Sequence, residues 1–214
     1  FEDAIDTAIK GLADLDVVIS RKPSQTEVAE AYESTIRAIR KLSGDNVSQQ
    51  ETIDDESVTV AMDLLATLQS SWFSNDSLKF LHVAKIVELS ARHGVAEATC
   101  YGLAWSGVIL ASKYADYETA LLAAETGVAL SHARSFTAYR TSALVALDQV
   151  SVWRKPLSYA LARAKEAFDH GKNSGDISMA CYATNHVVSD LLAMGAPLGV
   201  VANEANRGLA LASS

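Results

Sequence analysis

Apolar residues recur along this chain at i, i+3/4, i+7 and i+11, the spacing that lines one face of an α-helix. Phe80, Ala84, Val87 and Ala91 make one such stripe. Tyr117, Leu121, Ala124 and Val128 make a second, and Leu157, Ala160, Ala164 and Phe168 a third. Between them stand segments that are apolar nearly all round, of which CYGLAWSGVILA at 100–111 is the clearest. A helix that is apolar on every side has to be covered on more than one. The alternation therefore predicts an all-α chain in which inner helices are sandwiched by outer ones, an α-α superhelix (solenoid).

The pattern predicts about ten antiparallel helices, near 2–18, 25–42, 56–73, 77–93, 96–114, 117–132, 135–153, 157–173, 177–194 and 198–212. Ser24 and Glu27 have capping-box spacing at the start of the second, and Gly44 stands just past its end. Links of two to four residues, such as Gly94-Val95, Lys155-Pro156 and Gly175-Asp176, favour antiparallel neighbours. The polar run DNVSQQETIDD at 45–55 is the best place for a hinge. On this reading residues 1–53 form N-terminal helices and a loop leading into repeats over 54–214, the whole being one continuous domain. The chain starts and stops inside helical pattern, so it is expected to be a fragment of a longer protein.

The repeat shows in the letters too. Gly94, Ala133 and Gly175 mark the turn into each apolar helix, 39 residues apart (94 to 133) and then 42 (133 to 175). Six residues after these turns come Cys100, Tyr139 and Cys181, and Cys100-Tyr101 matches Cys181-Tyr182. Units of about 40 residues lie between the tetratricopeptide and HEAT lengths. The stretch ADYETALLAAETGVAL at 115–130 looks like the turn and second helix of a tetratricopeptide repeat, with Gly127 as the small residue that packs the helix pair.

Several phrases, in order, resemble one family. They are DDESVTVAMDLLATL, LHVAKIVELSARHGVAEATCYGLAWSGVILASKYADYETALLAAETGVAL, VWRKPLSYALARAKEAFDHGKNSGDISMACYA and GAPLGVVANEANRGLAL, spanning 54–211. They resemble the helical-repeat region of very large bacterial signalling proteins. Those proteins join a serine/threonine-kinase-like domain, an AAA-type predicted ATPase, helical repeats, a GAF domain and a sensor histidine kinase. The resemblance implies a cytoplasmic relay or sensor scaffold between an ATPase and an output kinase. The kinase and ATPase motifs themselves are absent from the chain, so the resemblance assigns no catalytic residue.

Charge narrows the partners. Of the net −8, the first 62 residues carry −7, from 6 basic and 13 acidic side chains. An acidic chain lacks the basic face that nucleic acid or anionic lipid needs. A protein or peptide, or neighbouring domains of the same chain, is the expected partner. Two isolated cysteines, Cys100 and Cys181, are no disulfide framework and suggest a reducing compartment. No phosphate loop and no G-x-S-x-G elbow occurs. The five histidines lack metal-ligand spacing, so no catalytic, cofactor or metal site is expected. His93 and His132 sit where a helix C-terminus favours them. Trp72, Trp105 and Trp153 read first as core or turn residues. The residues expected to line a partner groove are Trp105, Tyr101, Tyr139, Arg140, Tyr182 and His186. The rival reading is a small-molecule sensor, with Tyr101, Trp105, Tyr139, Tyr182 and His186 enclosing a pocket.

Overall fold

The computed structural model describes residues 2–44, 47–69 and 76–213. Over these the chain is all-helical. The helices are α1 (Glu2–Asp14), α2 (Gln25–Leu42), α3 (Glu56–Thr67), α4 (Asp76–His93), α5 (Glu97–Tyr114), α6 (Tyr117–Ala133), α7 (Arg140–Ser151), α8 (Leu157–Ser174), α9 (Ile177–Ala193) and α10 (Leu198–Ala212). Among the described residues there is no strand, only an isolated parallel bridge between Thr52 and Val95. From α4 onward each helix packs on the next, and the apolar helices α5, α7 and α9 also touch one another in succession.

Four helix starts follow from local chemistry. Ser24 and Glu27 form the capping box at α2, and Asp55, Asp116 and Asp176 accept backbone N–H groups at the starts of α3, α6 and α9. Three ends differ from the pattern. The apolar spacing carries the first helix to Val18, but it stops at Asp14. There Asp16 takes a positive φ, and the chain folds back so that Val17 N–H reaches the Leu12 carbonyl. That turn buries Val17 and Ile19, and Arg21 pairs with Glu2 and Asp6. The seventh helix starts at Arg140 rather than near 135. The Glu97 carboxylate accepts the Thr137 and Ala138 N–H groups at 3.1 and 2.6 Å, holding this stretch out of the helix. The third helix ends at Thr67; residues 70–73 of its expected span, including Trp72, lie outside the described residues.

The expected hinge is tied down where it is described. Val95 N–H donates to the Glu51 carbonyl at 2.7 Å, and Ile53 N–H to the Val95 carbonyl at 3.1 Å. Arg134 also donates to the Gln50 carbonyl. The opposite side of the contact is Gly94, at φ +109°, where any Cβ would stand 2.5 Å from the Glu51 oxygen. Thus the 94–95 turn both links α4 to α5 and docks the N-terminal segment.

The α5·α6 pair shows why the repeat needs small residues. A Cβ on Gly127 of α6 would lie 2.7 Å from the Cys100 carbonyl of α5; one on Gly107 of α5 would lie 2.5 Å from the Ala120 carbonyl of α6. The two helices cross backbone to backbone at both ends of the contact. Cys100 is 1% exposed, and burial pushes its thiol up to about 12. Ala120, Ala123 and Ala124 on the facing helix are closed off completely.

Candidate functional site

The six residues expected to line one groove fall into two places. Tyr101 and Trp105 belong to the interior, and the half-buried Tyr139 packs against Tyr101. Tyr101 is 1% and Trp105 5% exposed. The Tyr101 ring packs on His82, Trp105 and Tyr139, with centroids at 6.0, 6.2 and 5.8 Å. Each polar tip is satisfied. Trp105 Nε1 donates to Ser142 Oγ of α7 at 2.7 Å, and Tyr139 Oη to Asp63 Oδ1 of α3 at 3.1 Å. His82 Nδ1 donates to the Leu78 carbonyl, and its Nε2 accepts from Tyr101 Oη, both at 3.0 Å. Burial pushes His82 down to about 4, which keeps that ring neutral and the chain of bonds intact. Arg140 donates to the Ser131 carbonyl at 2.6 Å, joining α7 to α6. These four residues knit α3, α4, α5, α6 and α7 together, and the space a ligand would need between the rings is filled by the rings.

Tyr182 and His186 lie on α9, away from that cluster. Tyr182 is 48% exposed, and its ring sits 5.7 Å from His186. His186 Nδ1 stands 2.6 Å from Asp148 Oδ2 of α7. Asp148 is 1% exposed and Asp190, one turn beyond His186, 7%. The Asp190 carboxyl is held well above the ordinary carboxylate range, to about 7, first by burial, then by the charge of Asp148 and a hydrogen bond to it; His186 acts in the opposite sense. Apart from His186 and Asp190, no donor among the described residues reaches the Asp148 oxygens. Sequence reasoning named His186 but missed both aspartates. The available signal was Asp148 inside the otherwise apolar run of α7, four residues past Leu144, which occupies the Trp105 position of its own repeat.

Within this cluster the raised Asp190 carboxyl favours its protonated form. The nearby hydroxyls of Ser151 and Ser189 both donate to carbonyls one turn back on their own helices. Among the described residues no group of three or more histidine, cysteine or acidic side chains is arranged to hold a metal ion. Other expected positions resolve simply. His132 pairs with Glu166 of α8 at 3.3 Å. Trp153 stacks on Tyr117 at 4.9 Å and 17° at the α7–α8 turn, more than half exposed. No described helix is long and apolar enough to cross a membrane.

The largest change in character along the molecule is at its last pair. Tyr182, Leu192, Leu198, Val200 and Leu209 of α9 and α10 are exposed, whereas α5 and α7 are buried around almost their whole circumference. An open groove of about 340 Å³ runs between α9 and α10, from Cys181 and Val188 to Leu209 and Ala212. No protein-family model, curated protein or solved structure matches this chain.

Proposed function

We propose that the chain is a non-catalytic helical-repeat module, tetratricopeptide-like in build, that binds a protein or peptide partner and relays signals within a larger signal-transduction protein of the ATPase–sensor-kinase type. The observation that carries the interaction reading is the contrast between buried inner helices and an exposed apolar last pair. Several exposed aliphatic side chains on one helix pair favour an interaction surface there. The relay part rests on the resemblance of residues 54–211 to the repeat region of such proteins. The rival small-molecule reading loses its support, because Tyr101, Trp105 and Tyr139 pack against each other and stand apart from Tyr182 and His186.

The test joins crosslinking with substitution. Crosslinks from the chain to its partner are expected to concentrate on α9 and α10. Tyr182→Ala and Leu192→Glu, both at exposed positions, should remove them while the far-ultraviolet helical signal stays unchanged. Turnover of ATP or of an ester by the purified chain, lost on His186→Ala, would replace this reading with an enzymatic one built on Asp148, His186 and Asp190.

A further inference from the structure

The second half of α9 meets α7 through polar side chains. Ala180 and Ala183, early in α9, belong to the main apolar core, which also holds Leu144, Leu147 and Val150 of α7. Val187 and Leu191, later in α9, do not. They form a separate small core with Ala164 of α8 and Val201 of α10. At that seam stand Asp148 of α7, 1% exposed, and His186 and Asp190 of α9, the latter 7% exposed. Asp190 lies within hydrogen-bonding reach of Asp148. His186 Nδ1 takes Asp148 Oδ2, but Asp148 Oδ1 and Asp190 Oδ2 meet no N–H or O–H donor from elsewhere among the described residues.

Two ionised carboxylates in contact away from water repel, and neither brings a hydrogen to the other. One proton turns the same contact into a hydrogen bond between an acid and a carboxylate. We propose that this buried acid pair is a proton-operated latch: a proton held between Asp148 and Asp190 keeps the second half of α9 seated on α7, and its loss frees that stretch together with α10. The direction follows from the surroundings. Burial first, and then Asp148, hold the Asp190 carboxyl up to about 7, with His186 acting the other way. A freed Asp190 reaches water and titrates at about 3.9. The seated form therefore binds the extra proton. Its hold on α9 weakens as pH rises from about 4 to about 7 and is constant above that. The other charged groups on the packed helices are engaged elsewhere or exposed. On α8, Arg163 pairs with Glu166 and His170 bonds to Thr141, while Lys165, Asp169 and Lys172 face solvent. On α10 Glu204 pairs with Arg207, and on α7 Arg140 reaches the Ser131 carbonyl. On α9 itself Asp176 caps the start, and the Tyr182 ring lies against His186.

Amide exchange on the full chain tests the latch, with each rate corrected for the intrinsic exchange rate at its pH. Between a pH of about 5 and one of about 7.5, peptides covering 186–212 are expected to lose protection by about tenfold or more, while those from α5 stay protected at both. Asp190→Asn keeps a hydrogen bond at the contact without a proton to lose and should abolish the change. Asp148→Asn removes the neighbouring charge and offers Asp190 a donor, and should shrink it. His186→Gln removes the group that favours ionised Asp190. The pH at which protection levels off should then move upward, an effect that a purely structural His186 would not produce. Circular dichroism checks the fold of each variant. The proposal is overturned if protection of 186–212 is equal at both pH values, if it falls only by the same factor as that of α5, or if it falls in Asp190→Asn as in the parent chain.

Discussion

Replacing Gly127 by alanine is expected to destabilise the chain by about 1–3 kcal/mol, and by leucine more. On helix propensity alone the alanine change is stabilising, because a mid-helix glycine costs about 1 kcal/mol relative to alanine. Close approach reverses the sign. The added Cβ would stand 2.7 Å from the Cys100 carbonyl and 3.3 Å from the Ala104 nitrogen, and both are helical backbone that has no rotamer to move into. The α5·α6 crossing must open, and every contact along it loosens together. Gly199 serves as control: no atom lies within 4 Å of the position a Cβ would take there, so Gly199→Ala should be neutral or slightly stabilising. Thermal and urea unfolding followed by the far-ultraviolet helical signal reads both. An unchanged or raised melting temperature for Gly127→Ala would show that the two helices are not in backbone contact.

The second large effect depends on pH. Asp190 titrates at about 3.9 in an unfolded chain and is held up to about 7 in the fold by burial and by Asp148. Between those values the folded state binds more protons than the unfolded, so stability from this group falls as pH rises and the cost is complete above the window. An asparagine side chain in its place has no proton to lose. Asp190→Asn is therefore expected to stabilise by about 1–3 kcal/mol at a pH of about 8 and by almost nothing near a pH of about 4. The comparison with wild type at each pH is essential because His82 works the other way. Burial pushes its pKa down to about 4, so the unfolded chain takes up a proton that the folded one refuses, and stability is lost as pH falls below about 6.5. An equal shift for Asp190→Asn at both pH values would mean that the pair does not share a proton.

The helices were legible because their signals are local. The stripes through Phe80, Ala84 and Val87 and through Ala160, Ala164 and Phe168 are buried as the spacing requires. The capping box at Ser24 and Glu27 forms, and Gly127 packs against the inner helix of its own pair. The misplaced ends have non-local causes. Residues 135–139 have helical letters but are held in turns by a carboxylate about 40 positions earlier, at Glu97. The run 45–55 reads as a hinge because it is polar, yet its end pairs through backbone atoms with Gly94-Val95, and backbone pairing leaves no trace in side-chain composition.

The candidate site was less legible for the same reason. Tyr101, Arg140 and Tyr182 occupy corresponding places in successive inner helices, as do Trp105 and His186, and a repeat argument puts such residues on one surface. That argument assumes equal cover for every pair. Here α7 closes over Tyr101 and Trp105, whereas Tyr182 is exposed and His186 is half-buried against Asp148. Polar letters inside apolar helices also stand for two things: Ser142 completes a buried hydrogen bond to Trp105, and Asp148 pairs with His186 of another helix. Only the neighbouring chain distinguishes them.

Amide hydrogen exchange on the isolated chain, resolved by peptide, tests the central claim that the last pair lies open where α5 and α7 are covered. Exchange from α5 and α7, packed on several sides, should be the slowest in the molecule, and α9 and α10 should exchange markedly faster than their counterparts α5 and α6 at corresponding positions. Equal protection of α9·α10 and α5·α6 would contradict the account, because it would mean that the groove at Cys181, Leu209 and Ala212 is already closed.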